Sequence, residues 1–174
     1  GTGYSIVEVA APYGYVLDSN PVYFDVTPES VADENGLIVI AVTKENAPQK
    51  GIIQIEKSGE VFSSVVQTDN LYQPIYSVMG LPGAVYEITA AEDIYTPDGT
   101  LRLAAGALAD TLTTDKTRLA KSNPLYLGKY EIKEVAAPYG MTICEESRLV
   151  ELTYAGQEVE ITETSAGIYN ERQK

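Results

Sequence analysis

The chain has 174 residues, of which 44% are hydrophobic and 21% charged, a composition typical of a folded domain rather than a disordered segment. Its formal net charge of −13 disfavours binding to nucleic acid and anionic membranes, and there is no apolar run of the roughly 18 residues that a membrane span needs. With no histidine and one cysteine, Cys144, the sequence excludes an intrachain disulfide and offers no metal-ligand spacing, so we expect neither a metal nor a cofactor.

The first 50 residues resemble part of a β-sheet. Their β-branched and aromatic residues predict three short strands, at 4–9, 21–26 and 37–43. Three such strands leave an apolar face and a sheet edge uncovered. We therefore expect residues 1–46 to pair with another chain, or to dock on the rest of this chain through a strand edge.

The remaining residues alternate in polarity as half-buried strands do. The pattern predicts strands at 51–57, 84–90, 128–135, 148–154 and 158–163. Residues 100–113 are compatible with a short amphipathic helix, but two strands about Gly106 are the preferred interpretation. Because short strands follow one another without helical crossovers, the sequence predicts an all-β fold, an antiparallel β-sandwich.

An eleven-residue phrase occurs twice and divides the chain. YSIVEVAAPYG at 4–14 returns as YEIKEVAAPYG at 130–140, and VTKENAPQKG at 42–51 is echoed by AGIYNERQK at 166–174. Such self-similarity is the signature of a repeated structural unit. The predicted domains are residues 1–50, the C-terminal part of a preceding repeat, and residues 51–174, a complete repeat.

Three polar side chains fall where the alternation of a strand expects an apolar one. Side chains two residues apart lie on the same face of a strand, so Lys57 follows Ile53 and Ile55 on an inward face. By the same alternation, Glu134 and Asn170 continue the inward faces of their own strands. Because lysine and glutamate are rarely buried without a partner, the three positions indicate a polar cluster at strand ends.

Ordinary alternatives exist for each of these residues taken alone. The stem of Lys57 can lie along the core edge while its amine reaches water. Glu134 can make a simple hydrogen bond or ion pair at the rim of the sandwich, and Asn170 can be a strand-end amide. The pattern by itself does not decide between these alternatives and a reactive group of three.

The motifs at these positions resemble a known family. GIIQIEK at 51–57, LPGAVYEI at 81–88, the glutamate-containing box YEIKEVAAPYG and a closing strand ending in IYN are similar to Cna-B-type, SpaA-like, isopeptide-forming domains of Gram-positive adhesins and pilins. The resemblance covers residues 51–174, and residues 4–46 match the back part of a second copy. It implies an Ig-like, prealbumin-like β-sandwich with a partial copy of the same fold at the N-terminus.

The resemblance also implies chemistry. In such domains a lysine attacks an asparagine carboxamide and forms a lasting amide, which makes Lys57 the nucleophile, Asn170 the electrophile and Glu134 the catalytic proton shuttle. An apolar pocket favours the neutral forms of an amine and a carboxylic acid, as this reaction requires. Because the reaction turns over once per molecule, the resemblance implies self-crosslinking rather than an enzyme.

The resemblance finally implies a structural role. We expect a stalk repeat of a cell-wall-anchored adhesin or pilus-like protein, extracellular and located at the cell surface, with neighbouring repeats of the same protein as partners. In the partial repeat, Glu8 and Asn46 match Glu134 and Asn170, but no lysine-bearing strand precedes them in this sequence. They are therefore expected to be unpaired counterparts of the crosslinking residues.

A second function class is a ligand-binding adhesin module that recognises a host protein or glycan. Its best candidate is the segment at 59–80, which lacks a clear strand pattern and carries Tyr72 and Tyr76 as an exposed aromatic platform. The simpler alternative for the same segment is a flap or β-hairpin that covers the sandwich.

Overall fold

Thirteen β-strands form the regular structure of the computed structural model, which describes residues 1–173; Lys174, the last residue of the predicted second domain, lies outside them. Their bounds in chain order are β1 (Tyr4–Ile6), β2 (Val22–Phe24), β3 (Lys50–Thr68), β4 (Leu71–Gly80), β5 (Val85–Ala90), β6 (Ile94–Tyr95), β7 (Leu101–Leu103), β8 (Leu108–Thr113), β9 (Leu119–Lys121), β10 (Leu125–Tyr126), β11 (Gly128–Ala136), β12 (Arg148–Leu152) and β13 (Ile161–Asn170). Residues 1–173 contain no helix, and therefore no helix that is long and apolar enough to cross a bilayer. The all-β prediction is confirmed.

Two sheets enclose one core. In the first sheet, β3 pairs with β13, β4, β9 and β10, and in the second sheet the strand order is β12-β11-β5-β8. The core side chains come from both sheets, which confirms a sandwich. They are Ile53, Ile55, Ala84, Tyr86, Ile88, Ala90, Ile94, Leu112, Ala120, Tyr130, Ile132, Leu152 and Ile168. Because all of them lie between residues 53 and 168, the second predicted domain contains a complete hydrophobic core of its own.

The alternation of residues in the sequence places these side chains. In β3 every second residue from Gly51 to Gly59 is buried, with intermediate or exposed residues between them. The same period of two runs through β5 and β11, because successive side chains of a strand point to opposite faces. Lys57 and Glu134 thus occupy inward positions in opposite sheets.

One pairing departs from the antiparallel prediction. The first and last strands of the predicted second domain, β3 and β13, run parallel, whereas every other strand pair among residues 1–173 is antiparallel. A parallel pair needs a crossover connection, which the second sheet provides. The register sets Lys57 opposite Ile168 and Gly59 opposite Asn170, so the lysine and the asparagine reach the same end of the sandwich.

Two of the predicted strand positions are corrected by pairing. Residues 161–163 of the predicted stretch at 158–163 and the closing IYN belong to one strand, β13, because β3 pairs with it along its whole length, whereas residues 158–160 lie before the strand. In contrast, residues 37–43 form no strand and hold only an isolated bridge between Ala32 and Ile38. No strand equivalent to β3 pairs with them within residues 1–173, and a strand without a ladder partner leaves its backbone groups to water. The two strands expected about Gly106 are present as β7 and β8.

The segment at 59–80 is a long hairpin, which agrees with the β-hairpin given as its simpler alternative, whereas the expectation that it lacks a clear strand pattern was wrong. The ends of β3 and β4 pair from Ser58 with Gly80 out to Thr68 with Leu71. The connecting residues, Asp69 and Asn70, both have positive φ, as the two-residue turns that match strand twist require. Most side chains from residue 62 to 75 are exposed, so the hairpin projects from the sandwich and does not cover it.

Residues 1–46 contact the predicted second domain through a turn rather than a strand edge. The Leu17 N–H donates to the Gln157 carbonyl at 2.9 Å, and the Tyr13 ring lies 4.6 Å from the Tyr154 ring. Only β1 and β2 pair with each other in this region, in a two-stranded ribbon. The contact therefore leaves the apolar side chains of residues 37–40 exposed.

Candidate functional site

Lys57, Glu134 and Asn170 lie together inside the sandwich. Lys57 is on β3 and Asn170 is the last residue of β13, whereas Glu134 comes from β11 in the opposite sheet. Their exposed fractions are 0%, 2% and 1%, respectively. The Lys57 amine does not reach water, which removes the simplest alternative for that residue.

The three side chains form a chain of polar contacts. The Lys57 amine contacts the Asn170 side-chain oxygen and lies 3.4 Å from the Ile168 carbonyl oxygen. The Asn170 side-chain nitrogen donates to both oxygens of Glu134, at 3.0 and 2.9 Å. The distance from Lys57 Nζ to Glu134 Oε1 is 3.5 Å. The carboxamide thus has an amine at its oxygen side and a carboxyl group at its nitrogen side.

Two further groups hold the Glu134 carboxyl in place. The Tyr86 hydroxyl on β5 donates to Oε1 at 3.3 Å, and the Cys144 backbone N–H donates to Oε2 at 2.6 Å. Neither was identified from the sequence. The available signal was the alternation in β5, which puts Tyr86 on the inward face, where a tyrosine hydroxyl usually finds a hydrogen-bond partner. Tyr86 and Cys144 act as positioning residues for Glu134.

Burial changes the protonation preferences at the site. It lowers the pKa of the Lys57 amine, although the neighbouring Glu134 carboxylate opposes that shift. Burial also raises the pKa of the Tyr86 hydroxyl, with a further contribution from Glu134, so Tyr86 remains a hydrogen-bond donor. A lysine with a lowered pKa supplies more of the neutral amine, which is the nucleophilic form.

A close approach of the two strands accompanies this packing. Gly59 lies opposite Asn170, and a Cβ at Gly59 would sit 2.8 Å from the Asn170 carbonyl oxygen and 2.7 Å from the Leu81 side chain. Because contacts below 3.0 Å do not occur for real Cβ atoms, a side chain at Gly59 would displace the end of β13. The glycine allows the asparagine to approach β3 at the position where Lys57 points inward.

Residues 1–50, the predicted partial repeat, contain half of the same arrangement. The Asn46 side-chain nitrogen donates to Glu8 Oε2 at 2.7 Å, and the Asp18 backbone N–H donates to the same oxygen at 3.2 Å. These contacts repeat those of Asn170 and the Cys144 backbone with Glu134. Both Glu8 and Asn46 are half-buried, and no lysine amine contacts them within residues 1–173.

The two tyrosines of the alternative site do not form a platform. Tyr72 is 69% exposed, but Tyr76 packs edge-on against Phe62 and holds the Arg172 guanidinium 4.0 Å from its ring.

In the part of the chain that the structure describes, no group of three histidine, cysteine or acidic side chains is arranged to hold a metal ion.

Comparison with known proteins places the fold. The sequence profile of the SpaA prealbumin-like fold domain matches residues 77–165, about half of the chain. The matched range includes Tyr86 and Glu134, whereas Lys57 and Asn170 lie on either side of it. A search of curated protein sequences finds no match.

Solved structures with a similar fold come from Gram-positive bacteria. The Bacillus anthracis TIE protein is 26% identical with a TM-score of 0.52, over 98% of this chain and 25% of that protein. The minor pilin GBS52 of Streptococcus agalactiae is 18% identical with a TM-score of 0.46, over 72% of this chain and 46% of that pilin. The major pilin SpaD of Corynebacterium diphtheriae is 18% identical with a TM-score of 0.45, over 71% of this chain and 32% of that pilin.

The chain spans about a quarter of the length of the TIE protein and less than half of either pilin. The profile match covers β5 to β12, which include every strand of the second sheet. The prediction of a SpaA-like domain is confirmed, and the chain belongs to the SpaA family of prealbumin-like fold domains.

Proposed function

We propose that this chain is a structural stalk repeat of a cell-wall-anchored surface protein, stabilised by an amide bond that Lys57 and Asn170 form without an enzyme. One observation carries the proposal: a buried amine contacts a buried carboxamide whose nitrogen donates to both oxygens of a buried carboxyl group. A purely structural salt bridge between Lys57 and Glu134 does not need an asparagine side chain that contacts both of them.

The proposed reaction is an amide exchange. The neutral Lys57 amine attacks the Asn170 side-chain carbon, the new C–N bond forms, and the bond from that carbon to Nδ2 breaks. The attacking amine loses one proton, and Nδ2 takes up one proton and leaves as ammonia. Glu134 transfers this proton, since one of its oxygens is 3.5 Å from Nζ and both accept from Nδ2.

Packing of the sheets supplies the remaining acceleration. Holding two reacting groups in contact is worth about 7–11 kcal/mol of barrier in well-oriented intramolecular reactions. The parallel register of β3 and β13 provides this proximity as soon as the sandwich closes. The reaction consumes its own residues, so the protein modifies itself once and is not a catalyst of a substrate.

The position of the bond suits a protein under tension. It joins the first and last strands of the complete unit, so a pull on the two ends passes through the bond and bypasses the chain between Lys57 and Asn170, which are 113 positions apart. This role belongs to an extracellular protein at the bacterial cell surface, whose neighbours are further repeats of the same fold.

We further propose that residues 1–50 are the C-terminal part of a preceding repeat and that residues 51–174 form one complete repeat. The half-site of Glu8 and Asn46 supports this division. The turn at the end of each box supports it as well. The Tyr15 N–H donates to the Pro12 carbonyl at 3.1 Å, and the Met141 N–H donates to the Pro138 carbonyl at 3.0 Å.

Single-molecule pulling on the full chain tests the stalk function. We expect no extension from the region between Lys57 and Asn170 in the wild type. Asn170→Ala should add an unfolding extension of roughly 400 Å, since each freed residue contributes at most about 3.6 Å. Asn123→Ala, at an exposed asparagine, serves as the control and should behave as the wild type. The proposal fails if the wild type shows the same long extension as Asn170→Ala.

The projecting hairpin favours a second candidate function, the recognition of a host protein or glycan. Leu71, Tyr72 and Val78 on its strands are exposed, and exposed apolar clusters often mark interaction surfaces. If the hairpin binds a ligand, Tyr72→Ala should weaken retention on a glycan or matrix-protein array about tenfold or more, the loss expected of an interface aromatic. Tyr23→Ala, at another exposed strand tyrosine, is the matched control. Equal retention of both variants would leave the stalk as the only function.

A further inference from the structure

The end of the complete unit that carries Asn170 also carries an uncovered surface. We call it the C-terminal platform and define it by Ala137, Tyr139, Gly140 and Gln173. Tyr139 and Gln173 are exposed, Tyr139 fully. A Cβ at Gly140 would meet no protein atom within 4 Å, although its φ of +78° keeps the turn in the left-handed region. Nothing among residues 1–173 packs over this turn.

The partial repeat has the same surface, built in the same way. We call it the N-terminal platform and define it by Ala11, Tyr13, Gly14 and Gln49. The Gln49 N–H donates to the Gly14 carbonyl at 2.8 Å, just as the Gln173 N–H donates to the Gly140 carbonyl at 3.0 Å. An isolated bridge follows each box turn, between Tyr15 and Pro48 and between Met141 and Arg172. The two platforms are equivalent in sequence and in backbone structure.

The N-terminal platform docks on the complete unit, which buries Gly14 and Gln49 but leaves Tyr13 78% exposed. The Ala11 N–H donates to the Gln157 side-chain oxygen at 2.7 Å, and Tyr13 packs on Tyr154. Gly14 is buried, and a Cβ there would sit 2.5 Å from the Pro97 side chain. We call the receiving residues, Pro97 and the loop at 153–159, the acceptor surface.

Gln49 fastens this joint with its side chain. It is 1% exposed, accepts from the Ala155 N–H at 2.8 Å, and donates to the carbonyls of Gly156, at 2.8 Å, and Val159. A buried amide with all of these partners satisfied holds the two units at a fixed angle. A platform therefore fits a partner loop that offers unpaired backbone N–H and carbonyl groups, together with a tyrosine ring and a glutamine side chain, as the loop at 153–159 does.

From this equivalence we propose that the C-terminal platform docks on the acceptor surface of a following repeat of this fold. The proposal rests on the proposed tandem stalk and adds the residues that form its joints. The sequence of the platform fits this proposal, since Gln173-Lys174 repeats Gln49-Lys50, in which Lys50 is the first residue of β3. The partner is not a second copy of this chain, because the acceptor surface of each copy is already covered by its own residues 11–14.

The joint also makes the repeats rigid relative to one another. A separate copy of the chain is repelled from the C-terminal platform, because each chain carries a net charge of −13. A following repeat on the same chain is held at the platform by the connection itself, which raises its effective concentration. The result is a stalk whose units do not swing freely.

Hydrogen exchange on a tandem protein tests the proposal. The full chain is extended directly after Lys174 by a second copy of residues 51–174, which contains a complete core. In the parent chain, none of the hydrogen bonds among residues 1–173 uses the Ala137 N–H, whereas the Ala11 N–H donates to Gln157. We expect the Ala137 amide to exchange about tenfold or more slowly in the tandem protein, as a newly formed hydrogen bond in a docked joint requires.

Gln157→Ala provides a matched pair of variants. When only the appended copy carries Gln157→Ala, Ala137 of the original chain should exchange at its parent rate and Ala11 should stay protected. In the original copy it should expose Ala11 and leave Ala137 protected. Slow exchange of the Ile88 and Ile132 core amides in both copies verifies that both copies are folded. A tandem protein whose core amides exchange fast would show that the joint cannot form on this fold, which overturns the proposal.

An Ala137 amide that exchanges in the folded tandem protein as in the parent chain would also overturn the docking. The mass of the denatured tandem protein separates this failure from that of the crosslink. A deficit of two ammonia molecules with an unprotected Ala137 rejects only the joint, whereas a protected Ala137 without the deficit rejects only the bond.

Discussion

Glu134→Gln is expected to leave Lys57 and Asn170 unlinked, or to slow their reaction by about 10²–10⁴-fold, the usual contribution of a positioned acid or base. Glutamine keeps the size of the side chain and its contacts with Tyr86, but it cannot pass a proton from the amine to the leaving nitrogen. Mass spectrometry of the freshly folded variant should give the full mass calculated from its sequence.

Glu131→Gln is the control for this variant. Glu131 lies on the same strand, but its side chain alternates to the opposite face. It should show the same ammonia deficit as the wild type. A Glu134→Gln protein that crosslinks as fast as the Glu131→Gln protein would remove Glu134 from the chemistry.

The double variant Lys57→Met with Glu134→Gln should be less stable than the wild type by about 4–5 kcal/mol. The proposed bond closes a loop of 113 residues, and by analogy with disulfides such a closure removes that much conformational entropy from the unfolded chain. The free energy of unfolding is measured by denaturant titration. Lys129→Met, at an exposed lysine, is the control and should change it by less than about 0.5 kcal/mol.

The sign of this effect separates the two accounts of the site. If Lys57 and Glu134 formed only a buried ion pair, replacing both charges by uncharged groups of similar volume would be neutral or stabilising by about 1–4 kcal/mol. Removing both partners also avoids leaving one unpaired charge in the core. A double variant at least as stable as the wild type would therefore contradict the crosslink.

The inward positions of the candidate site residues could be predicted because two local signals coincide. The alternation within β3 and β11 places Lys57 and Glu134 on inward faces, and the duplicated box marks the glutamate. Their arrangement could not be predicted from alternation, because the parallel register of β3 and β13 is set by a pairing of residues that are far apart in sequence. The contact of Tyr86 with Glu134 depends on that long-range packing as well.

The errors in secondary structure also come from pairing. Residues 37–43 have the composition of a strand, as does β13, but only β13 has β3 beside it. The two strands at 59–80 gave no clear pattern, and a hairpin stood only as an alternative there, because the turn uses Asp69 and Asn70 with positive φ and no glycine. Strand propensity describes a residue that fits a pleated, half-buried surface, and it is the neighbouring strand that provides that surface.

The intact mass of the wild-type protein, measured after full denaturation, tests the account most directly. A bond between Lys57 and Asn170 makes the chain lighter than its sequence mass by one ammonia, and a protease digest then yields a branched peptide containing both residues. A denatured wild-type chain with its full sequence mass would contradict the account, because the buried amine and carboxamide would then be neighbours that do not react.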